Sequence, residues 1–301
     1  MSAELAHGAV VPLPVRAPSG RGRGRPTPVR RRATDWVLEQ ILGRPWVVSL
    51  SHRAGLQGRL RLVEHRVQVP GDASRPTLRI GFASDFHAGS MTHPRMLEDA
   101  RRLLATARPD ILLFGGDFVV NHAEELEPLL PILAELRAPL GTWAVLGNHD
   151  LCTDDTYVAE RLRAVGVRVL VNEGVRLPAP HDDLWLGGLD DPTRGAPDPR
   201  AALHGAGARR LILMHSPDGL RALDGHEFDL ALCGHVHGGQ IVIGDRMLVP
   251  PEGELNRRYP FGVHVLPGGA RLLVSRGVGC SGVPVRIGAP PEVHVVEVGR
   301  A

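Results

Sequence analysis

Short runs with no polar break, such as Ile111-Leu112-Leu113-Phe114 and Leu230-Ala231-Leu232-Cys233, punctuate the chain from Leu78 onward. Runs this short, bounded by Gly, Asp or His, predict strands covered on both faces. Between the first of them the period changes. Met96, Leu97, Ala100, Leu103 and Leu104 recur at helical spacing, which predicts an amphipathic helix over Pro94 to Ala107. Further helices are predicted over about Glu124 to Leu136, and from a Thr153 or Asp154 cap to about Val165. Strands are predicted at Leu78–Ser84, Ile111–Phe114, Thr142–Leu146 and Val167–Val171. Strand and helix therefore alternate through the first half, which predicts an α/β fold.

The second half is richer in strands. Leu184–Gly188, Arg210–Met214, Asp229–Leu232, Gln240–Ile243, Met247–Val249, Arg271–Ser275 and Val293–Val298 are predicted as strands, with helices only near Pro199–His204 and Pro217–Leu223. Upstream, Leu60 to Val69 alternates apolar and polar positions, as an antiparallel or edge strand does. Thr34 to Leu42 predicts a short helix capped by Thr34. With Trp46, Val47 and Val48 it packs on the domain or lies on a membrane surface.

Composition narrows the picture. The 301 residues, 43% hydrophobic, suffice for one large or two modest domains with a sizeable core. All 35 basic residues are Arg. Seven of them fall between Arg16 and Arg32, so residues 1–35 carry a net +5 and the remainder about −3. Residues 1–33 are accordingly predicted to be a disordered Arg/Pro/Gly-rich tail, and the basic character belongs to that tail. Cys152, Cys233 and Cys280 are widely spaced and make neither a disulfide framework nor a Cys-rich zinc site, which points to a reducing compartment. No run of about 18 apolar residues exists, so no transmembrane helix is predicted. Arg30-Arg31-Arg32 leads into a stretch too charged for an export leader, so a cytoplasmic protein, with membrane association as the variant, is expected.

The chemistry sits at strand ends. Asp85 and His87, Asp117, Asn148 with His149 and Asp150, His215, and His235 with His237 each follow an apolar run. In α/β sheets ligands bind beyond the carboxyl ends of strands, so five such ends predict one site. Two carboxylates, an amide oxygen and four imidazoles suit Mn, Fe or Zn and disfavour calcium. They exceed one tetrahedral site but suit two divalent metal ions sharing a carboxylate. A hydroxide bridging such a pair has a lowered pKa and can attack phosphorus in line. His93 and His122 lie just beyond two of these strands and are weaker candidates for the cleft wall.

In order, Asp85-Phe86-His87, Gly116-Asp117, Gly147-Asn148-His149-Asp150, His215 and Gly234-His235-Val236-His237 resemble the motifs of the calcineurin-like metallophosphoesterase superfamily. His237-Gly238-Gly239-Gln240, Tyr259-Pro260-Phe261-Gly262 and Ser275-Arg276-Gly277-Val278-Gly279 are similar to a bacterial subgroup with GHTHGGQ and SRGxG signatures. Val236 stands where that subgroup usually has Thr, and the N-terminal anchor its members often carry is not found.

The resemblance implies a four-layer α/β/β/α sandwich of two mixed β-sheets flanked by helices, over residues 78–301. Residues 34–77 would add a helix and a strand packed on it. It implies that Asp85, His87, Asp117 and His237 hold one metal, and that Asp117 bridges to a second held with Asn148, His215 and His235. His149 would protonate the leaving group, with Asp150 orienting its ring. Arg276, Arg286 and Tyr259 are candidates for substrate binding, with a structural ion pair to Glu292 as the alternative for the two arginines. The implied activity is hydrolysis of a phosphate ester, a phosphodiester favoured over a monoester, in a phosphorylated small molecule or lipid. The alternatives are a pyrophosphatase acting on a nucleotide-sugar lipid precursor and, from a different class, a non-catalytic protein that binds nucleic acid or membrane through the Arg-rich tail.

Overall fold

Ile111 and Leu113 point to one side of their strand, Leu112 and Phe114 to the other, and all four are buried. Such a strand needs a partner layer on each face. The computed structural model, which describes residues 23–24 and 38–301, supplies both. The first sheet is built from β1 (Arg61–Val69), β2 (Leu78–Ala83), β3 (Ile111–Phe114), β4 (Thr142–Ala144), β5 (Val167–Val169) and β14 (Glu292–Arg300), in the order β1-β14-β2-β3-β4-β5. Strands β2 to β5 are parallel, and β14 is antiparallel to β2 and parallel to β1. The second contains β6 (Glu173–Arg176), β7 (Leu184–Gly188), β8 (Arg209–Leu213), β9 (Leu230–Cys233), β12 (Gly262–Val265) and β13 (Arg271–Val274), in the order β12-β13-β9-β8-β7-β6. Its four central strands are parallel and both edges antiparallel.

The sheets pack face to face. Ile80, Phe82, Ile111 and Leu113 of the first meet Leu186, Leu211, Leu213 and Leu232 of the second in one apolar layer. Leu112 and Phe114 instead join Leu97 and Leu104 of the helix Pro94–Ala107 and Leu162 of the helix Asp155–Ala164. Beyond the second sheet, Ile212, Ala231 and Leu272 pack with Ala202 of the short helix Pro199–Ala202 and with Leu223. The result is the four-layer α/β/β/α sandwich. Each such buried side chain contributes about 1.5–3 kcal/mol by leaving water.

Some elements differ from the sequence expectation. The helix predicted over Glu124 to Leu136 is a 3-10 turn, Ala123–Leu126, and a separate helix, Leu130–Ala134. Pro128 and Pro131 lack the N–H groups that a continuous helix requires. Leu60 to Val69 is an edge strand as expected, but its pairing with β14 is parallel. The strands predicted at Gln240–Ile243 and Met247–Val249 shrink to a hairpin, Val242–Ile243 with Arg246–Met247. Strands β6 and β12 and the helix Glu254–Arg258 were not expected, because they are short, half-exposed and lack apolar runs.

Near the N-terminus, residues 38–42 are helical and the helix Pro45–Arg53 follows. Thr34, Trp36 and Val37 lie outside the described residues. Of the predicted tail, Arg23 and Gly24 contact the body. The Arg23 guanidinium reaches Asp155 at 2.6 Å and Asp190 at 2.6 and 2.8 Å, and the Gly24 N–H donates to Leu151 O at 3.1 Å. Among the described residues no helix is long and apolar enough to cross a membrane.

Candidate metal centre

Each apolar strand ends in a sharp turn, and the turns are sewn to one another. After β2, the Asp85 N–H donates to Gly116 O at 2.9 Å and the His87 N–H to Asp117 O at 3.0 Å. After β9, the Gly234 N–H donates to His215 O at 2.8 Å, and the His235 N–H donates to the Asp85 carboxylate at 3.0 Å. Five site residues adopt positive φ: Asp85 (53°), His87 (42°), Asp117 (54°), His235 (72°) and His237 (52°). Each costs about 1–3 kcal/mol outside glycine, so the surrounding bonds must hold it, as happens at functional sites.

These turns bring together all the residues expected as ligands. Asp85, His87 and His237 form one group, and Asp117, His215 and His235 another, with ligand atoms within 4.8 Å of one another in each. His87 Nε2 lies 2.9 Å from His237 Nε2. Asp117 Oδ2 lies 3.6 Å from His87 Nε2 and 3.3 Å from His215 Nε2, facing both groups. Asn148 Oδ1 and His235 Nδ1 are each 3.1 Å from His215 Nε2. The first sheet supplies Asp85, His87, Asp117 and Asn148; the second supplies His215, His235 and His237.

The donor set fits cations. His87 Nδ1 faces Val119 O at 3.2 Å and His215 Nδ1 faces Gly115 O at 2.7 Å. A carbonyl only accepts, so those Nδ1 atoms carry protons, and each ring turns its Nε2 inward. Around these nitrogens stand carboxylate and amide oxygens, which also only accept. Buried acceptors converging this closely require a positive charge among them, a proton or a metal ion. Burial pulls His87 down to about 3, leaving it neutral. Burial also opposes the charge on His215, but the carboxylates of Asp117, Asp85 and Asp191 outweigh it and hold its pKa well above the ordinary value. The field that retains a proton there is the field that favours a metal ion.

His149 and Asp150 have different roles from one another. The His149 N–H donates to Asp117 Oδ1 at 2.8 Å, and its Nδ1 meets Val120 O at 2.7 Å, which leaves Nε2 to exchange a proton. Asp150 does not orient that ring. Its carboxylate accepts N–H groups of Asp117 and Gly147 at 2.9 Å each, and of Phe118 and Val119 at 2.9 and 3.3 Å. It is a clamp between two turns.

The three substrate-binding candidates are corrected. Arg286 is 4% exposed, and its guanidinium donates to Gly279, Ala289 and Arg276 carbonyls while Nη2 abuts His237 Nδ1 at 3.0 Å. It stands behind the His237 ring rather than in the cleft wall. Arg276 pairs with Glu292 at 2.7 Å and lies 3.7 Å from the Phe261 ring centroid. Tyr259 lines a separate depression with Leu223, Leu255 and Leu266. Nor do His93 or His122 line the cleft: His93 caps the helix Pro94–Ala107 and stacks on His52, and His122 begins the 3-10 turn.

Asp117, Asn148, His149, His235 and His237 open into a cleft of about 860 Å³. Its walls also carry Arg194, Arg221 and Asn256, and the apolar Val236, Ile241, Val249 and Val283. The loop holding Arg194 was missed in the sequence, although Asp190-Asp191 after the apolar run Leu184–Gly188 repeats the strand-end signal.

Comparison with known proteins agrees with this geometry. A family model described as calcineurin-like phosphoesterase matches residues 78–239. An uncharacterized metallophosphoesterase of Aquifex aeolicus is 31% identical over 79% of this chain and 92% of its own. The phosphodiesterase YaeI of Escherichia coli is 31% identical over 80% of this chain and 89% of its own. The UDP-2,3-diacylglucosamine pyrophosphatase LpxG of Chlamydia trachomatis is 29% identical over 72% of this chain and 82% of its own.

Proposed function

From the premise that the chain belongs to the calcineurin-like phosphoesterase family, and is thus a phosphoric ester hydrolase, we propose that it cleaves a phosphodiester at a centre of two divalent metals. The observation that carries the reading is Asp117 Oδ2, facing both His87 Nε2 and His215 Nε2. Asp85, His87 and His237 would hold one ion, Asn148, His215 and His235 the other, and Asp117 both. Mn, Fe and Zn suit this mixture of imidazole and carboxylate. When bound, such a pair acidifies water and neutralises charge on phosphoryl oxygens.

The chain's own groups do the rest. His149, steered by Val120 O, presents Nε2 to protonate the departing oxygen. Asp150 keeps the Asp117 and Gly147 turns in register. The cleft width and its mixture of arginine and apolar wall favour a substrate with a bulky group beside the phosphate. That same width, with the similarity to the pyrophosphatase LpxG, supports a second reading in which the bond cleaved is a pyrophosphate in a nucleotide-sugar lipid.

The test is metal content with turnover. The chain is stripped of metal, reloaded with Mn, Fe, Zn or Mg singly, and assayed on bis-p-nitrophenyl phosphate beside p-nitrophenyl phosphate, with Asp117→Asn in parallel. About two metals per chain and faster cleavage of the diester are expected. Asp117→Asn is expected to lose metal and at least about 100-fold in activity. A chain that takes up no metal would refute the reading.

A further inference from the structure

The cleft has an apolar rim that the hydrolytic site does not use. The helix Pro45–Arg53 buries Val48 and Ser51 and turns Trp46 and Leu50, one turn apart, to solvent at 66% and 59% exposure. Ile41 before it and Leu56 after it are also exposed. The hairpin Val242–Ile243 with Arg246–Met247 leaves Ile243 and Leu248 in solvent and runs into Val249, which is 70% exposed at the cleft wall.

Backbone bonds join these two segments through residues 284–287. Ser51 Oγ donates to Pro284 O, and the Arg286 N–H to Leu56 O at 2.7 Å. The Ile287 N–H donates to Gln240 O at 2.9 Å, and the Val242 N–H to Ile287 O at 2.7 Å. Ile287 itself is exposed. The exposed apolar side chains therefore sit on adjoining segments, a band whose hairpin end runs into Ile241 and Val249 of the cleft wall. Apolar residues scattered singly need no explanation, but a connected band does.

The charge around the band is one-signed along its helical part. From residue 40 to residue 63 the chain contains Arg44, Arg53, Arg59 and Arg61 and no acid. Seven more arginines precede it in the sequence, from Arg16 to Arg32, of which Arg23 is held by Asp155 and Asp190. The neighbouring Glu39 is engaged with Ser90 and Asn121, and on the hairpin Asp245 is offset by Arg246.

We propose that this band docks on an anionic lipid bilayer. Trp46, Leu50, Ile243 and Leu248 enter the boundary between headgroups and acyl chains, and Arg44, Arg53, Arg59 and Arg61 face lipid phosphates. The mouth of the cleft then opens at the membrane surface. Resting on the phosphoesterase reading, this makes the substrate an amphiphile whose phosphate enters the cleft while its apolar part stays in the bilayer.

The experiment is co-sedimentation of the metal-loaded full chain with vesicles of phosphatidylcholine, with and without phosphatidylglycerol. Binding to the anionic vesicles, weakened by salt, is expected. Trp46→Ser/Leu50→Ser and Ile243→Ser/Leu248→Ser are each expected to lose about tenfold or more in vesicle affinity, since two inserted apolar groups are removed. Both should keep the parent melting temperature and the parent rate on bis-p-nitrophenyl phosphate in vesicle-free solution. Absence of vesicle binding would overturn the proposal. So would variants that bind as well as the parent, which would leave adhesion by arginine charge alone. A parent that sediments as a dimer which both variants dissolve would assign the band to a second copy instead. Vesicle binding with no turnover of any ester would fault the hydrolytic reading and leave the docking face standing.

Discussion

Asp150 has a position in the sequence that invites a catalytic role and a set of contacts that gives it another. Four backbone N–H groups from two turns converge on its two carboxylate oxygens. Asp150→Asn keeps one oxygen and sets an NH2 against two of those donors. Leaving buried N–H groups unpaired costs about 1–3 kcal/mol each. We expect a loss of about 2–4 kcal/mol in stability, read by urea denaturation, with metal content falling because Asp117 sits on the disturbed turn. A variant with parent stability and a slowed rate would instead restore the ring-orienting role. The contrast shows what was legible at this scale. The gathering of Asp85, His87, Asp117, Asn148, His149, His215, His235 and His237 at one place could be read, because strand-end position is a local property. The Arg276–Glu292 ion pair was readable as an alternative, but the partners of Asp150 and Arg286 were not, because each depends on which loops meet. Arg286 has no local signal that its guanidinium is buried behind His237.

At the scale of elements, legibility followed the apolar runs. Helix Pro94–Ala107 matches its expected bounds because His93 and Pro94 start it and five apolar positions fix its buried face. Strands β6 and β12 escaped notice because an edge strand of four residues with half-exposed side chains has no run to read. The parallel pairing of β1 with β14 joins segments at opposite ends of the chain, and no local pattern carries that. The turns, however, make a prediction of their own. A Cβ at Gly234 would lie 2.1 Å from Asp85 Oδ2 and 2.2 Å from Ser84 Oγ, so the turn after β9 needs glycine to approach the turn after β2. Gly234→Ala must push Asp85 aside. It is expected to abolish binding at the Asp85, His87 and His237 group, read as about one metal per chain, with at least about 100-fold loss of turnover. Gly207→Ala, whose Cβ would find only Arg176 Nη1 at 3.9 Å, serves as the control and should match the parent.

For the whole molecule, the division of ligands between the sheets has a thermodynamic consequence. Asp85, His87, Asp117 and Asn148 extend from one sheet and His215, His235 and His237 from the other, so the centre joins the two halves at the edge of their shared apolar layer. The site exists only when both sheets are folded and packed, and the unfolded chain has no equivalent. Metal held at the proposed centre would therefore bind the native state selectively and stabilise it by RT ln(1 + [L]/Kd), about 2.7 kcal/mol per site at 100 times Kd. For a domain of this size each kcal/mol raises Tm by roughly 2–4 °C. Removing metal with a chelator is accordingly expected to lower Tm by about 5–10 °C for each site emptied, with full recovery on adding the metal back. The increment should grow with the logarithm of metal concentration. It should also shrink as pH falls, because metal must displace the proton that the neighbouring carboxylates hold on His215. Asp117→Asn, which would weaken both positions of the proposed centre, should show a metal-dependent rise well under half that of the parent. Scanning calorimetry across metal concentrations measures all of this without any substrate. A parent whose Tm ignores both chelator and metal would mean that the converging acceptors hold no ion.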